Sequence, residues 1–256
     1  CRFILNRVDI IILREEISRR YLKEAGINRP RVFVTADATF SIEPPHYNKD
    51  LIRQKLLKAF QDEVGDVMIG ITVLGGYFLN RKRHDLLKRY VRSLVSCIDS
   101  IVNELNANII FVPQVVARSE ITMMHMIKRL IENKKRVFII NEDLSPEDVM
   151  KIIGCMDIFI GTRMHSNIFA LIMNVPPVAI AYEHKTYGIM EMLGLENWIL
   201  DINNINEREL ISKVRNLHKS LFEIKKNMLE AVYWARAKSL SSAKIVRAFC
   251  EASLKN

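Results

Sequence analysis

The sequence predicts an α/β protein built on doubly wound parallel sheets, and three observations carry that prediction. Short apolar runs rich in Val, Ile and Phe recur from end to end, at residues 8–13, 31–35, 67–73, 109–113, 136–140, 158–161, 177–181 and 198–201. They are continuous rather than alternating, the pattern of strands covered on both faces. Helix-period segments at 15–25, 84–105, 120–133, 146–155, 164–173 and 187–193 fall between them. That alternation is how repeated βαβ units appear in a sequence. The punctuation agrees as well. Ser145-Pro146-Glu147-Asp148 supplies an N-cap, a proline for the first helical position and acids for the first turn. Gly26 and Gly194 follow two of the helical segments, where a left-handed residue is wanted.

Residues 41–66 read as a junction. Glu43-Pro44-Pro45-His46 stops the preceding strand, and residues 48–60 have the pattern of a short amphipathic helix. Residues 1–50 hold only two strands and one helix, the remnant of an N-terminal Rossmann-like domain. Residues 51–205 are expected to form a C-terminal Rossmann-like domain carrying the site, and residues 206–256 a pair of C-terminal helices. The chain starts at Cys1, and residues 2–14 read as the interior of a fold, so a portion of a longer protein is expected. The longest apolar run, 168–182, is cut by Pro176 and Pro177 and is too short to cross a bilayer.

The net charge of +9 favours anionic partners. Its clusters, Arg81-Lys82-Arg83-His84 and Lys134-Lys135-Arg136, flank predicted helix boundaries and come with no nucleic-acid signature, so nucleic acid is not an expected partner. Cys1, Cys97, Cys155 and Cys250 are scattered, with no C-x-x-C pair or nearby histidine at ligand spacing. A reduced, cytoplasmic compartment fits, and neither structural zinc nor an essential metal is expected.

In open α/β sheets, ligands bind beyond the carboxyl ends of strands, where the next helices present their N-termini. The richest such place is Gly161-Thr162-Arg163-Met164-His165-Ser166-Asn167, after the run 158–161. The helix N-terminus offers backbone N–H groups to an anion. Arg163 can add a planar fork for a carboxylate or phosphate. The positive end of the helix should disfavour protonated His165, leaving an imidazole able to act as a base.

This run also carries a resemblance. Gly161-Thr162-Arg163-Met164-His165, then Ala170, Val175-Pro176, Ala179-Ile180-Ala181-Tyr182 and Lys185, resembles the signature of polysaccharide pyruvyl transferases: G-x-R-x-H, then G-V-P, then A-x-x-Y-x-x-K. Arg14-Glu15 with Ser18 is similar to the family's R-D-x-x-S, and Thr35-Ala36-Asp37 to its T-x-D strand end. Val112-Pro113-Gln114, Ser145-Pro146-Glu147 and Glu191-Met192-Leu193-Gly194-Leu195 follow in the family's order. Three positions depart from the pattern: Glu15 stands for Asp, Asn174 for the Gly of G-V-P, and Leu74 where many members carry an arginine.

The resemblance implies a glycosyltransferase-B-like architecture of two Rossmann-like domains, the N-terminal one incomplete in this chain. It implies transfer of pyruvate from phosphoenolpyruvate to paired sugar hydroxyls as a ketal in surface polysaccharide biosynthesis, with no cofactor beyond that donor. His165 and Arg163 are then the catalytic candidates. Arg14, Gly161, Thr162, Ser166, Asn167, Lys185 and Gln114 are the substrate-binding candidates, with Arg14 or Lys185 reserved for the donor's second anionic group. The acceptor would be a saccharide, and a lipid-linked one would bring the protein to the inner face of the membrane. Two rivals stand beside this reading: a nucleotide-sugar glycosyltransferase on the same scaffold, for which Glu183 is the residue to watch, and a non-catalytic anion-binding member.

Overall fold

The computed structural model describes residues 2–60, 64–75, 84–114 and 118–253. The strands among them are β1 (Ile10–Leu13), β2 (Arg31–Val34), β3 (Val67–Thr72), β4 (Ala107–Phe111), β5 (Val137–Ile139), β6 (Ile158–Gly161), β7 (Pro177–Ala181) and β8 (Ile199–Asp201). The helices are α1 (Arg2–Leu5), α2 (Glu16–Glu24), α3 (Lys49–Leu57), α4 (His84–Leu105), α5 (Arg118–Leu130), α6 (Pro146–Gly154), α7 (Met164–Ile172), α8 (His184–Met192), α9 (Glu207–Lys219) and α10 (Leu221–Ser253). Each apolar run of the sequence becomes a strand: 158–161 and 177–181 keep their bounds, 109–113 shifts two residues earlier to 107–111, and the others are trimmed by one or two residues at one or both ends. The basic residues Arg81, Lys82 and Arg83 lie outside the described residues.

The chain divides into two compact units. The larger holds residues 44–182 and 198–226. Its sheet has six parallel strands in the order β5-β4-β3-β6-β7-β8. Ile69, Ile71 and Val73 join the core that includes Leu94, Ile98 and Leu210 of α4 and α9. Met68, Ile110 and Phe159 are equally buried, and the period of two puts Met68 on the face opposite Ile69. Both faces are therefore covered, which is why the strands read as unbroken apolar runs.

The smaller unit holds residues 1–43, 183–197 and 227–256, so two later segments group with the N-terminal one. β1 and β2 pair in parallel. Local packing explains the grouping. Glu15 is fully buried, and a Cβ placed on Gly188 of α8 would come within 2.3 Å of its Oε2. Tyr21 meets the His184 ring edge-on at 5.0 Å, and Arg236 of α10 pairs with Glu43 at 2.6 Å. Among the described residues, no helix is long and apolar enough to cross a membrane.

Helices α2, α7 and α8 end in the same motif. Ile27 N–H donates to the Leu22 carbonyl, Val175 N–H to Ala170 and Leu195 N–H to Met190. The residue before each donor is left-handed: Gly26 at φ +71°, Asn174 at φ +56° and Gly194 at φ +69°. A Schellman end needs that conformation, and asparagine is the side chain that tolerates it best after glycine. The Asn174 departure from the family's glycine is thus a substitution that the backbone permits. The side chain brings a disadvantage, since its Oδ1 is buried without a hydrogen-bond partner. Asn174→Gly should leave stability unchanged or raise it, whereas Asn174→Val should lower it by about 1–2 kcal/mol. Urea denaturation of the two variants checks this, and equal stability of both would contradict it.

Candidate functional site

The order of the larger sheet reverses between β3 and β6, and the carboxyl ends at such a reversal form the natural ligand crevice. Thr72 and Gly161 are partners in the register there. Beyond Gly161, the segment Thr162-Arg163 leads directly into α7. Arg163 is the N-cap residue, with φ −90° and ψ 131°, and it makes no side-chain cap hydrogen bond.

A chain of buried hydroxyls fixes this segment. Ser166 Oγ donates to the Arg163 carbonyl at 2.7 Å. With its proton used, Ser166 accepts from Thr72 Oγ1 at 3.0 Å. Thr72 Oγ1 in turn accepts from the Thr162 N–H at 3.2 Å. Thr162 Oγ1 lies 2.8 Å from the Tyr90 hydroxyl, which accepts from the Leu74 N–H at 3.3 Å. Burial pushes the Tyr90 hydroxyl up to about 12, so it stays protonated at physiological pH. The network ties the carboxyl ends of β3 and β6 to α4 and to the first turn of α7.

Arg163 is held at its other end. Its Nε donates to Glu120 Oε1 at 2.7 Å, and its Nη2 donates to the same oxygen. Glu120 comes from the first turn of α5, and its side chain is 1% exposed, against 28% for Arg163. Burial opposes the charge on Arg163. The Glu120 hydrogen bonds and charge, with a contribution from Tyr182, more than offset that, and the guanidinium is held above its ordinary value. Gly75 makes the pairing reachable. A Cβ there would meet the Glu120 nitrogen and the Ser119 carbonyl carbon at 2.5 Å, so its role is close approach of α5 to the end of β3. The sequence alone gives Gly75-Gly76 the simpler role of a turn, and Gly76 lies outside the described residues.

The larger unit brings together seven of the candidates. Arg163 lies partly exposed at the mouth, and His165 is exposed on the first turn of α7. Gly161 is buried, and its carbonyl accepts from Asn167 Nδ2 at 3.1 Å. Thr162, Ser166 and Asn167 are buried as well, so they shape the loop from beneath. Gln114 lies three residues past β4, half-buried, with its Oε1 buried and unpartnered.

Arg14 and Lys185 belong to the smaller unit. Arg14 pairs with Asp37 at 2.8 Å, while Asp37 also caps the following turn through the Thr39 N–H at 3.0 Å. Lys185 pairs with Glu183 at 2.6 Å. Near them Glu15 caps α2, accepting from the Ile17 N–H at 2.6 Å, the Ser18 N–H at 3.0 Å and the Ser18 hydroxyl.

Sequence reasoning misses Glu120, Tyr90 and Thr72. Glu120 is visible only as an acid in a predicted first turn, and its partner is 43 positions away. Tyr90 and Thr72 carry no local signal, being polar groups inside segments that read as apolar.

The model of the family described as polysaccharide pyruvyl transferase matches residues 1–184, which include Arg163 and His165. The chain belongs to the polysaccharide pyruvyl transferase family. A relative is the amylovoran biosynthesis protein AmsJ of Erwinia amylovora, 24% identical over 247 residues, covering 90% of this chain and 56% of AmsJ. The chain thus spans little more than half the length of that curated relative. Among solved structures, S. aureus MnaA with UDP superposes with a TM-score of 0.67 at 10% identity, over 98% of this chain and 63% of that one. Anabaena Alr3699/HepE in complex with UDP-glucose gives 0.64 at 14% identity, over 98% and 66%. At such identities the likeness shows the fold alone, Rossmann-like and glycosyltransferase-B-like, as the sequence leads one to expect.

The hydroxyl network makes a stability prediction. Thr72→Val leaves the Thr162 N–H without an acceptor and should cost about 1–3 kcal/mol. Thr72→Ser should restore most of it. Chemical denaturation checks this, and a Val variant as stable as the parent would show that the network is dispensable.

Proposed function

We propose that the protein transfers pyruvate from phosphoenolpyruvate to two hydroxyls of a saccharide in exopolysaccharide biosynthesis, with His165 and Arg163 at the reacting centre. The observation that carries this reading is the placement of both side chains at the N-terminus of α7, at the switch point of the sheet, inside the segment matched by the family. The amylovoran protein, named for an exopolysaccharide, supports the same process.

In the reaction, one sugar hydroxyl adds to C2 of the enol while the methylene carbon takes up a proton. The second hydroxyl then displaces phosphate at C2, closing the ketal and giving up its proton. Both steps need a group that moves protons at an accessible position, and exposed His165 is suited to that. Such a group contributes roughly 10²–10⁴-fold. Arg163 presents its guanidinium to the donor carboxylate or phosphate. Glu120 acts as a positioning residue: it holds the Nε and Nη2 edge, and Tyr182 also hydrogen-bonds the guanidinium, so its orientation is set before a ligand meets it. The buried hydroxyls below the loop keep the first turn of α7 in place, so the geometry is set before substrate arrives.

A second reading draws on Leu74. It is 1% exposed and packed in the core, where many family members carry an arginine, so one anion contact of the family's pattern is missing. On that reading the protein binds the anion without turning it over. Phosphoenolpyruvate binding without phosphate release would favour it.

The test is phosphate release from phosphoenolpyruvate by the full-length protein, with galactosyl, glucosyl and N-acetylmannosaminyl acceptors. Acceptor-dependent release is expected. His165→Ala should cut it by roughly 10²-fold or more while the melting temperature stays within about a degree, because the side chain is exposed. Release that survives the substitution would remove His165 from the reaction.

A further inference from the structure

The smaller unit carries a cavity of about 420 Å³ that none of the preceding chemistry uses. It is lined by Glu16, Ile17, Thr35, Glu191, Trp234 and Lys238, among others. We propose that it is a binding subsite for a neutral hexose or N-acetylhexosamine ring. The inference rests on the reading that the protein acts on a saccharide, and adds where one sugar of the acceptor sits.

Four observations support it. The volume lies within the ordinary range for small-ligand sites. The cavity lies past the carboxyl end of β2, whose last residue Val34 and its successor Thr35 both line it, the end of a parallel strand at which ligands collect. Trp234 lines it while 45% exposed. Lys238 Nζ lies over the ring, and the exposed part of the indole is a large apolar surface that matches the C–H face of a pyranose. The polar groups are also of the right kind. Glu16, in the first turn of α2, and Glu191, in the last turn of α8, can accept hydrogen bonds from sugar hydroxyls. Lys238 stands one turn beyond Trp234, with Nζ 5.5 Å from the ring centroid, and can donate.

The charges select the class of ligand. Glu16 is paired with Arg19 at 3.5 Å, so the two carboxylates and the two cations around the cavity balance. A phosphate or uronate gains no net attraction there, whereas an uncharged polyol finds acceptors and a donor around an apolar floor of Ile17, Val34 and Met192. The walls are held in advance. α2 and α8 are locked together where Gly188 lies against buried Glu15, so little ordering is needed on binding.

The chain has two tryptophans, so Trp198→Phe leaves Trp234 as the sole tryptophan, which is excited selectively over tyrosine. In that background, acrylamide quenching is measured with methyl β-D-galactoside, methyl β-D-glucoside, N-acetylmannosamine and glucuronic acid. In parallel, acceptor-dependent phosphate release is measured for Trp234→Ala. The proposal expects the neutral sugars to shield Trp234 and glucuronic acid to leave it unshielded. It expects Trp234→Ala to raise the acceptor KM about tenfold, roughly the loss of one aromatic contact, with kcat within about twofold. Acceptor-dependent release with no shielding and an unchanged KM would overturn the subsite and leave the transferase reading standing. Shielding without any phosphate release would support the subsite and remove that reading. Equal shielding by glucuronic acid would overturn the neutral class, and neither shielding nor release would overturn both.

Discussion

A carboxylate buried to 1% exposure needs compensation by hydrogen bonds or an opposite charge, and Glu120 finds both in Arg163. Removing either partner would leave an uncompensated buried charge, a loss of several kcal/mol. The pair therefore fixes where the first turn of α5 lies against the first turn of α7. Gly75 gives α5 the room to come that close, and the Thr72–Thr162–Ser166 hydroxyls lock the other side of the loop. The result is a partly exposed guanidinium held by Glu120 and Tyr182, with an exposed imidazole two residues on. The arrangement is stiff where it must hold a geometry and open where it must meet a ligand.

The same constraint accounts for which residues of the signature face inward. In G-x-R-x-H, Arg163 and His165 reach the surface, while Gly161 and Thr162 are buried along with Ser166 and Asn167. Sequence reasoning groups all six as site residues because they crowd one helix N-terminus. The structure divides them by exposure: Arg163 and His165 are accessible, and the other four are buried beneath the loop. The departures from the family pattern divide in a similar way. Asn174 occupies a left-handed position that tolerates it, and Glu15 caps α2 through its longer carboxylate. Leu74 is buried in the core of the larger unit.

The strands were legible because burial on both faces of a parallel sheet writes unbroken apolar runs, as at 158–161 and 177–181, whose bounds match β6 and β7. The helix ends at Gly26 and Gly194 were legible because the left-handed conformation leaves few choices of residue. The support of the site was not legible. Glu120 and Arg163 are brought together by the packing of α5 and α7, and nothing local in the sequence marks Tyr90 as the partner of Thr162. The segments 183–197 and 227–256 likewise join the N-terminal unit through contacts such as Gly188 against Glu15, which depend on how distant segments pack.

In the proposed reaction the Arg163 fork, oriented by Glu120, recognises the donor by its shape as well as its charge. Calorimetric titration of phosphoenolpyruvate into the parent protein and Arg163→Lys tests it most directly. Lysine keeps the positive charge beside Glu120 and the fold with it, but it cannot present a planar pair of donors. The account predicts a dissociation constant weaker by about tenfold or more, the loss of at least one charge-assisted hydrogen bond. An affinity equal to that of the parent would contradict it and leave Arg163 as the structural counter-ion of Glu120.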